Sequence, residues 1–295
     1  MANDKLLVTG ASGKLGQRVL ELLLEADAGP ILATTRKPET LAAWAARGVE
    51  VRRADYDAPE TLAAAFAGVE RALLISTDSI ERPGQRIEQH RQAVRALEAA
   101  GVRHVVYTSM PRPEGSPILI APDHFAAEQA LTASRLDFTI LRNNIYADML
   151  LLSLPGALAS GQLVDARGKG AVAYVWRDDC ARAAAAALAD RSRGGRAIVD
   201  ITGPEAVTSA QLAAWASGLF GRPVAHVDVP PAALVEGLQQ HGLPLQVAQI
   251  LASFDVATSR GDLAEVSDGV RQLTGRAPQS LRAFLEAHRD ALQPR

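Results

Sequence analysis

The sequence predicts an α/β fold: a doubly wound parallel sheet over the first half of the chain, then a smaller, mostly helical domain. Three observations carry this reading. Glycines at 10, 13 and 16 stand between an apolar run and an amphipathic run. Strand-like and helix-like runs then alternate as far as Asn143, the pattern of parallel βαβ units with right-handed crossovers. Beyond Asn143 the alternation loosens and helical periodicity dominates.

The apolar run Leu6-Leu7-Val8 reads as a buried strand and Gln17 to Ala26 as the helix after the turn. Strand, glycine turn and helix at one point is the geometry of a Rossmann-type dinucleotide site. Gly10 allows the sharp turn, Gly13 the approach of backbone N–H groups to a pyrophosphate, and Gly16 the close packing of helix on strand. Glycines also mark ordinary turns, but here the flanking strand and helix that the motif requires are both present. Gly10, Ala11, Ser12, Gly13, Lys14 and Leu15 are therefore candidate cofactor contacts.

Ile31 to Arg36 reads as the second strand. A site selective for NAD places a carboxylate near the tip of this strand, on the ribose hydroxyls. Here the tip is Thr35-Arg36-Lys37. Two cations suit a 2′-phosphate, so the reading is NADPH, with Arg36 as its contact; the alternative is a pair of ordinary surface cations. Pro38 to Gly48 reads as a helix stopped by its glycine. Val49 to Asp55 alternates as strand three and brings Asp55 to the ligand edge of the sheet. Asp55 can accept from an adenine amino group or cap the helix that begins near Pro59. Arg71 to Thr77 is strand four, and its polar end, Ser76-Thr77-Asp78, falls on the same edge. A helix from Arg82 to Ala100, with Ile87, Val94 and Leu97 apolar, leads to strand five, His104 to Ser109. A helix near Pro122 to Ser134 leads to strand six, Asp137 to Arg142.

In the second half Leu150 to Leu158 is apolar and interrupted by Pro155-Gly156, and Val172 to Trp176 reads as a short strand. Arg177-Asp178-Asp179 opens an Ala-rich helix, Cys180 to Ala189, whose composition suits close helix packing. Ala197 to Thr202 reads as a last strand of the sheet. Thr208 to Phe220, Pro231 to His241, Leu245 to Phe254 and Ser280 to Ala291 read as helices. The expected division is a nucleotide-binding domain over 1–150, its sheet completed by parts of 170–203, and a substrate or cap domain over 151–295.

Composition narrows the function classes. The chain has 295 residues, 48% of them hydrophobic, and a net charge of −2, which gives no electrostatic footprint for nucleic acid. No apolar stretch approaches the ~20 residues of a membrane span, and no signal peptide is visible in the polar start. A single cysteine, Cys180, forms no internal disulfide; it lies in the Ala-rich run and reads as a small buried residue. The expectation is a cytoplasmic protein without a membrane or nucleic-acid partner, for which a homodimer is compatible with the fold. The six histidines show no pair at metal-ligand spacing, and the Ser of the glycine turn is not on a nucleophile elbow.

Taken together, Val8 to Gly16, Ala54-Asp55-Tyr56, Leu73 to Ser76, Tyr107-Thr108-Ser109, Asp123-His124 with Glu128, Leu141-Arg142-Asn143 with Tyr146, and Arg177-x-Asp179-x-Ala181 resemble the NmrA-like group of atypical short-chain dehydrogenases. The resemblance spans essentially the whole chain and lies toward the group's bacterial quinone and triphenylmethane dye reductases. It implies a Rossmann domain carrying NADPH and a small C-terminal domain closing over it. It implies cofactor contacts at Gly10 to Leu15, Arg36, Ser76 to Asp78 and Asn143 to Tyr146, with Trp176-Arg177 nearby. The chain departs from the group's quinone reductase pattern at Asn144-Ile145, where that pattern has Gly then Trp, beside the expected nicotinamide pocket.

Ordinary short-chain dehydrogenases protonate a carbonyl oxygen with a Tyr-x-x-x-Lys pair, a contribution of roughly 10²–10⁴-fold. Here those positions fall on His124 and Glu128. A quinone needs this machinery less, because hydride addition yields a phenolate, and a phenol has a pKa of about 10. A cationic dye needs only the hydride. Positioning then supplies most of the rate. The implied function is an NADPH-dependent reductase of quinones or similar flat electrophilic acceptors, without flavin. Ser109 is a candidate hydrogen-bond donor to the acceptor, or a local cap; His124 a candidate proton donor, or structural. Tyr146 is a candidate ring flanking the site, or a core aromatic, and Asn143 a partner for the nicotinamide carboxamide or ribose. Arg177 and Asp179 read as an ion pair at a helix start. A rival reading fits the same missing pair: a protein that binds NADP(H) without turnover and signals redox state to a protein partner. A sugar-nucleotide epimerase is disfavoured, since it too would want Tyr and Lys.

Overall fold

The computed structural model describes residues 4–79 and 82–293; of the polar N-terminal stretch, residues 1–3 lie outside that range. The strands are β1 Lys5–Val8, β2 Ile31–Thr35, β3 Glu50–Arg53, β4 Val69–Leu74, β5 His104–Ser109, β6 Asp137–Asn143, β7 Gln162–Asp165, β8 Ala171–Val172, β9 Arg196–Ile201, β10 Val207–Thr208 and β11 Ala225–Asp228. The helices are α1 Lys14–Glu25, α2 Ala42–Ala45, α3 Leu62–Phe66, α4 Gln85–Ala99, α5 Ala121–Ala133, α6 Leu150–Ser160, α7 Arg177–Ala189, α8 Ser209–Phe220, α9 Pro231–Gln240, α10 Leu245–Ser259, α11 Gly269–Thr274, α12 Leu281–Ala287 and α13 Arg289–Leu292.

A seven-stranded sheet runs in the order β3-β2-β1-β4-β5-β6-β9. The pairs from β3 through β6 are parallel. The last pair is parallel too, since Phe138 N–H bonds Gly195 O and Asn144 N–H bonds Ile201 O in step. The predicted Rossmann sheet, completed by a late strand, is therefore present. Strand order reverses between β1 and β4, and the carboxyl ends of these two strands flank the point where open α/β sheets bind ligands. Leu6, Leu7 and Val8 are fully buried there, which is why β1 reads as an unbroken apolar run.

The described residues fall into two compact units. The first takes in the described parts of Met1–Met110 with Asp123–Arg142 and Cys180–Val199; the second takes in Pro111–Pro122, Asn143–Asp179 and the described part of Asp200–Arg295. In the first unit, Ala65, Phe66, Ala93, Leu97, Val105, Ala127, Leu131 and Ile140 belong to one buried apolar cluster. The Ala-rich α7 is close-packed, with Ala181, Ala183, Ala184, Ala187 and Leu188 fully buried. Its C-terminal carbonyls are held by the buried Arg71 guanidinium, which donates to Ala187 O, Leu188 O and Arg193 O at 2.9, 2.8 and 2.9 Å. A cation at that end complements the helix dipole.

In the second unit β7 pairs parallel with β11, and β8 pairs antiparallel with β10. Thr208 and Gln211 form a capping box at the start of α8.

Several local readings need correction. Residues Pro38 to Gly48 do not form one helix but a 3₁₀ turn, Pro38–Leu41, followed by the single-turn α2. Leu41 is buried but α2 buries nothing, so no apolar stripe anchors a longer helix. Conversely, α6 runs through Pro155. It buries Leu150, Leu154, Ala157 and Leu158 along one face, and this packing outweighs the lost Pro N–H. The carbonyl that N–H would have met, on Leu151, belongs to a half-buried residue within reach of solvent. Asp55 caps no helix: its carboxylate accepts from Asp57 N–H at 3.1 Å inside the turn, and the 3₁₀ turn Pro59–Thr61 starts from Ala58.

Candidate active site

The glycine turn is built as its spacing demands. Gly10 has φ +57°, a conformation that side chains with a Cβ rarely adopt. Gly13 N–H closes the turn on Gly10 O at 3.0 Å, and α1 starts at the next residue. A Cβ on Gly16 would sit 2.6 Å from Gly10 O and 2.8 Å from Ala11 Cα, so only glycine lets α1 lie this close. No side chain caps α1. The first N–H groups of a helix have no intrahelical acceptor, and here they are open to an anion. That is a cradle for a pyrophosphate.

At the tip of β2, Thr35 Oγ1 donates to Ser12 Oγ at 3.4 Å and accepts from Lys37 N–H at 3.3 Å, tying the tip to the glycine turn. Arg36 and Lys37 are exposed. Beyond β4, three successive N–H groups are taken up by side chains from three other elements. Ile75 donates to Thr9 Oγ1 at 3.0 Å, Ser76 to Thr108 Oγ1 at 2.9 Å and Thr77 to His90 Nε2 at 3.0 Å. This holds Ser76-Thr77-Asp78 at the carboxyl edge, with the buried Thr77 Oγ1 left without a partner.

Behind that loop lies a buried polar cluster that helical periodicity alone did not reveal. The N-terminal half of α4 buries Arg86, Gln89 and His90, where the apolar spacing pointed only to Ile87, Val94 and Leu97. Arg86 lies 3.6 Å from Asp123 and 3.2 Å from His124 Nε2. Arg has only donors, so His124 Nε2 accepts, and its proton sits on Nδ1, 3.1 Å from Tyr107 Oη. Burial first, then Arg86 and His90, hold His124 well below the usual histidine range. Burial and Arg86 push His90 down to about 3, and burial pushes the Tyr107 phenol well above its usual range. His124 is neutral with both nitrogens engaged, which corrects its reading as a proton donor.

At the other position of the missing pair, Glu128 is buried and takes a bidentate grip from Arg142: Nε to Oε1 at 3.0 Å and Nη2 to Oε2 at 2.6 Å. Ser109, the last residue of β5, donates to the same Oε1 at 2.6 Å. Its one proton is spent there.

In the second unit, Asn143 Nδ2 donates to Tyr146 Oη at 3.2 Å, while the buried Asn143 Oδ1 has no partner. The Arg177 guanidinium lies 5.3 Å above the Tyr146 ring and pairs with Asp148 at 2.7 Å. Asp179 accepts from Gln279 N–H at 2.8 Å. Asn144 is buried, donating to Leu263 O at 3.0 Å and accepting from Ile145 N–H. Trp176 donates its indole N–H to Ser280 O at 3.0 Å and meets Phe284 edge-on, so it serves packing within this unit.

Asp165, His226 and Asp228 also gather here, with ligand atoms within 4.8 Å of one another. The β7–β11 register creates this group, which histidine spacing could not reveal. Its groups are already partnered, His226 with Asp165 and Asp228 with Gly168 N–H.

The sheet order, the glycine cradle and the orphaned Thr77 Oγ1 of the first unit together define a Rossmann protein whose residues fit a dinucleotide. The chain belongs to the NAD(P)H-binding family, whose model matches residues 10–191. It is 37% identical to quinone oxidoreductase 2 of Escherichia coli K12 over 93% of this chain and 95% of that one. The E. coli NADPH-dependent quinone oxidoreductase, in its NADPH complex, superposes with a TM-score of 0.91 at 36% identity, covering 96% of this chain and 99% of the other. Triphenylmethane reductase of Citrobacter, complexed with NADP(H), gives 0.88 at 33% identity, with 96% and 99% covered. The protein is an oxidoreductase with NADPH as its cofactor. No described helix is long and apolar enough to cross a membrane.

Proposed function

We propose that the protein transfers hydride from NADPH to quinones and similarly flat, electrophilic acceptors, without flavin. One observation carries the reading: neither position of the usual acid–base pair has a proton to give. His124 is neutral and spends its Nδ1 proton on Tyr107, and Glu128 is clamped by Arg142 and Ser109. An acceptor that becomes an alkoxide would find no acid. A quinone, whose product is a phenolate, takes its proton from water. The quinone and dye reductases to which the chain is similar point the same way.

In this reading the turn from Gly10 to Leu15 would hold the pyrophosphate through the N–H groups of Ser12, Lys14 and Leu15, since those of Ala11 and Gly13 already bond backbone carbonyls; Arg36 would hold the 2′-phosphate and Asp55 the adenine edge. Ser76 to Asp78 and Asn143 would bind the nicotinamide half, and Tyr146 would flank the ring. NADPH supplies the hydride; the protein's part is to hold donor and acceptor together and keep the site ordered. The test is NADPH oxidation with and without benzoquinone, naphthoquinone and a cationic triarylmethyl dye, run beside NADH. Acceptor-dependent turnover is expected. Tight NADPH binding with no turnover on any acceptor would refute the proposal in favour of a redox sensor.

A further inference from the structure

We propose that Glu128 fixes Ser109 as a hydrogen-bond acceptor, so that the site selects flat ligands presenting an N–H there over those presenting a carbonyl oxygen. The inference rests on the flat-acceptor reading above and narrows it: a quinone would turn its carbonyl oxygens away from Ser109, toward water. A serine hydroxyl has one proton and two lone pairs. In Ser109 the proton goes to Glu128 Oε1 at 2.6 Å, in the range of a charge-assisted O–H···O⁻ bond. Arg142 donates to both oxygens of Glu128, and Arg is donor-only, so the carboxylate is locked as an acceptor. It cannot return a proton to Ser109. Both partners are buried, with Ser109 and Glu128 each 5% exposed, so water competes poorly for the bond.

Ser109 ends β5 at the carboxyl edge of the sheet, and no N–H or O–H among the described residues donates to its oxygen. What remains for a ligand is therefore lone pairs. A carbonyl oxygen placed there meets electron density and loses its water; an N–H gains a partner. Where an ordinary dehydrogenase serine donates to the substrate oxygen, this one has the opposite polarity, and Glu128 is the positioning residue responsible.

Three tricyclic ligands of nearly one shape test this on the NADP⁺-loaded protein by calorimetry: fluorene with a CH₂, carbazole with an N–H and fluorenone with a C=O at the bridging position. Carbazole should bind tighter than fluorene by about threefold to tenfold, the size of one net hydrogen bond, and fluorenone weaker than fluorene. Ser109→Ala should bring the three within about twofold of one another. Replacing both Glu128 and Arg142 by Leu removes the buried pair and frees the Ser109 proton, so fluorenone should overtake fluorene. If that double variant fails to fold, Ser109→Ala decides alone. Fluorenone binding tighter than fluorene in the wild type, or an order that Ser109→Ala leaves intact, overturns the proposal. Binding by none of the three removes the flat-acceptor site and the inference with it.

Discussion

Gly16→Ala is the sharpest probe of the nucleotide cradle, because the added atom meets the backbone of the glycine turn. The new Cβ would lie 2.6 Å from Gly10 O, 2.8 Å from Ala11 Cα and 3.1 Å from Gly10 C. Carbon contacts in proteins settle near about 3.5–4.0 Å, so α1 and the turn must part by roughly 1 Å. No flexible side chain can yield, and α1 is anchored by the buried Leu15, Val19, Leu20 and Leu23. Overpacking of this kind costs about 1–3 kcal/mol, and a displacement near 1 Å in a positioning element can cost about 10²-fold in function. Calorimetry with NADPH should show a weakening of that order, with a lower thermal midpoint. Gly218→Ala is the counterpart: it lies inside α8 with nothing within 4 Å of a new Cβ, and should raise stability by about 1 kcal/mol. A Gly16→Ala protein that binds NADPH normally and melts with the wild type would refute the argument that helix and turn need this glycine.

Three further outcomes are expected. Arg36→Ala should weaken NADPH by about 10- to 100-fold, one or two charged hydrogen bonds, and leave NADH within about twofold; parallel titrations in which both cofactors lose equally would exclude the phosphate contact. Glu128→Leu alone should destabilise by about 1–3 kcal/mol, since Ser109 and Arg142 lose a charged hydrogen-bond partner, and adding Arg142→Leu should recover part of the loss; denaturant titration of both variants checks this. Burial holds His90 at about 3 and His104 at about 4 and also lowers His124, so the unfolded chain takes up protons below about pH 6.5 that the folded chain refuses. Stability should be insensitive to these groups above that pH and fall as pH drops below it. Between pH 7 and 5 the loss is about 2 kcal/mol for each of His90 and His104, measurable by urea unfolding; equal stability at both values would contradict the burial.

What the sequence made legible follows from where the signals lie. The glycine turn and the central strands are local patterns with one physical solution: Leu6 to Val8 can only be a strand buried on both faces, and Gly16 only a close approach. Late strand β9 was legible because Arg196 to Ile201 retains β-branched residues after a helix. Positions whose role depends on a distant partner were not. Glu128 reads as a surface helix residue until Arg142 and Ser109 arrive from two strands. His124 looks like an available acid until Arg86 fixes its tautomer from a helix 38 residues earlier. Nothing local to Trp176 shows that its indole N–H is taken by Ser280, about a hundred residues away. Asn144, where the chain departs from the reductase pattern, is held by Leu263. Polar side chains inside α4 escaped because periodicity registers apolar faces alone.

Arg71 carries a consequence for the order in which the chain can be finished. Its guanidinium, fully buried on β4, finds its acceptors 116 to 122 residues later, at the end of α7 and just before β9. A ribosome that has released only the first 150 residues has made the nucleotide cradle and six strands, yet holds a cation with no carbonyls to receive it and a sheet with a bare edge at β6. Such a nascent chain cannot close its core without burying unsatisfied donors, and its open edge invites pairing with another chain. The nucleotide half therefore waits for the second half to be translated. A fragment ending at residue 150 should be recovered in aggregates, because it lacks both the edge strand and the carbonyls that quench Arg71.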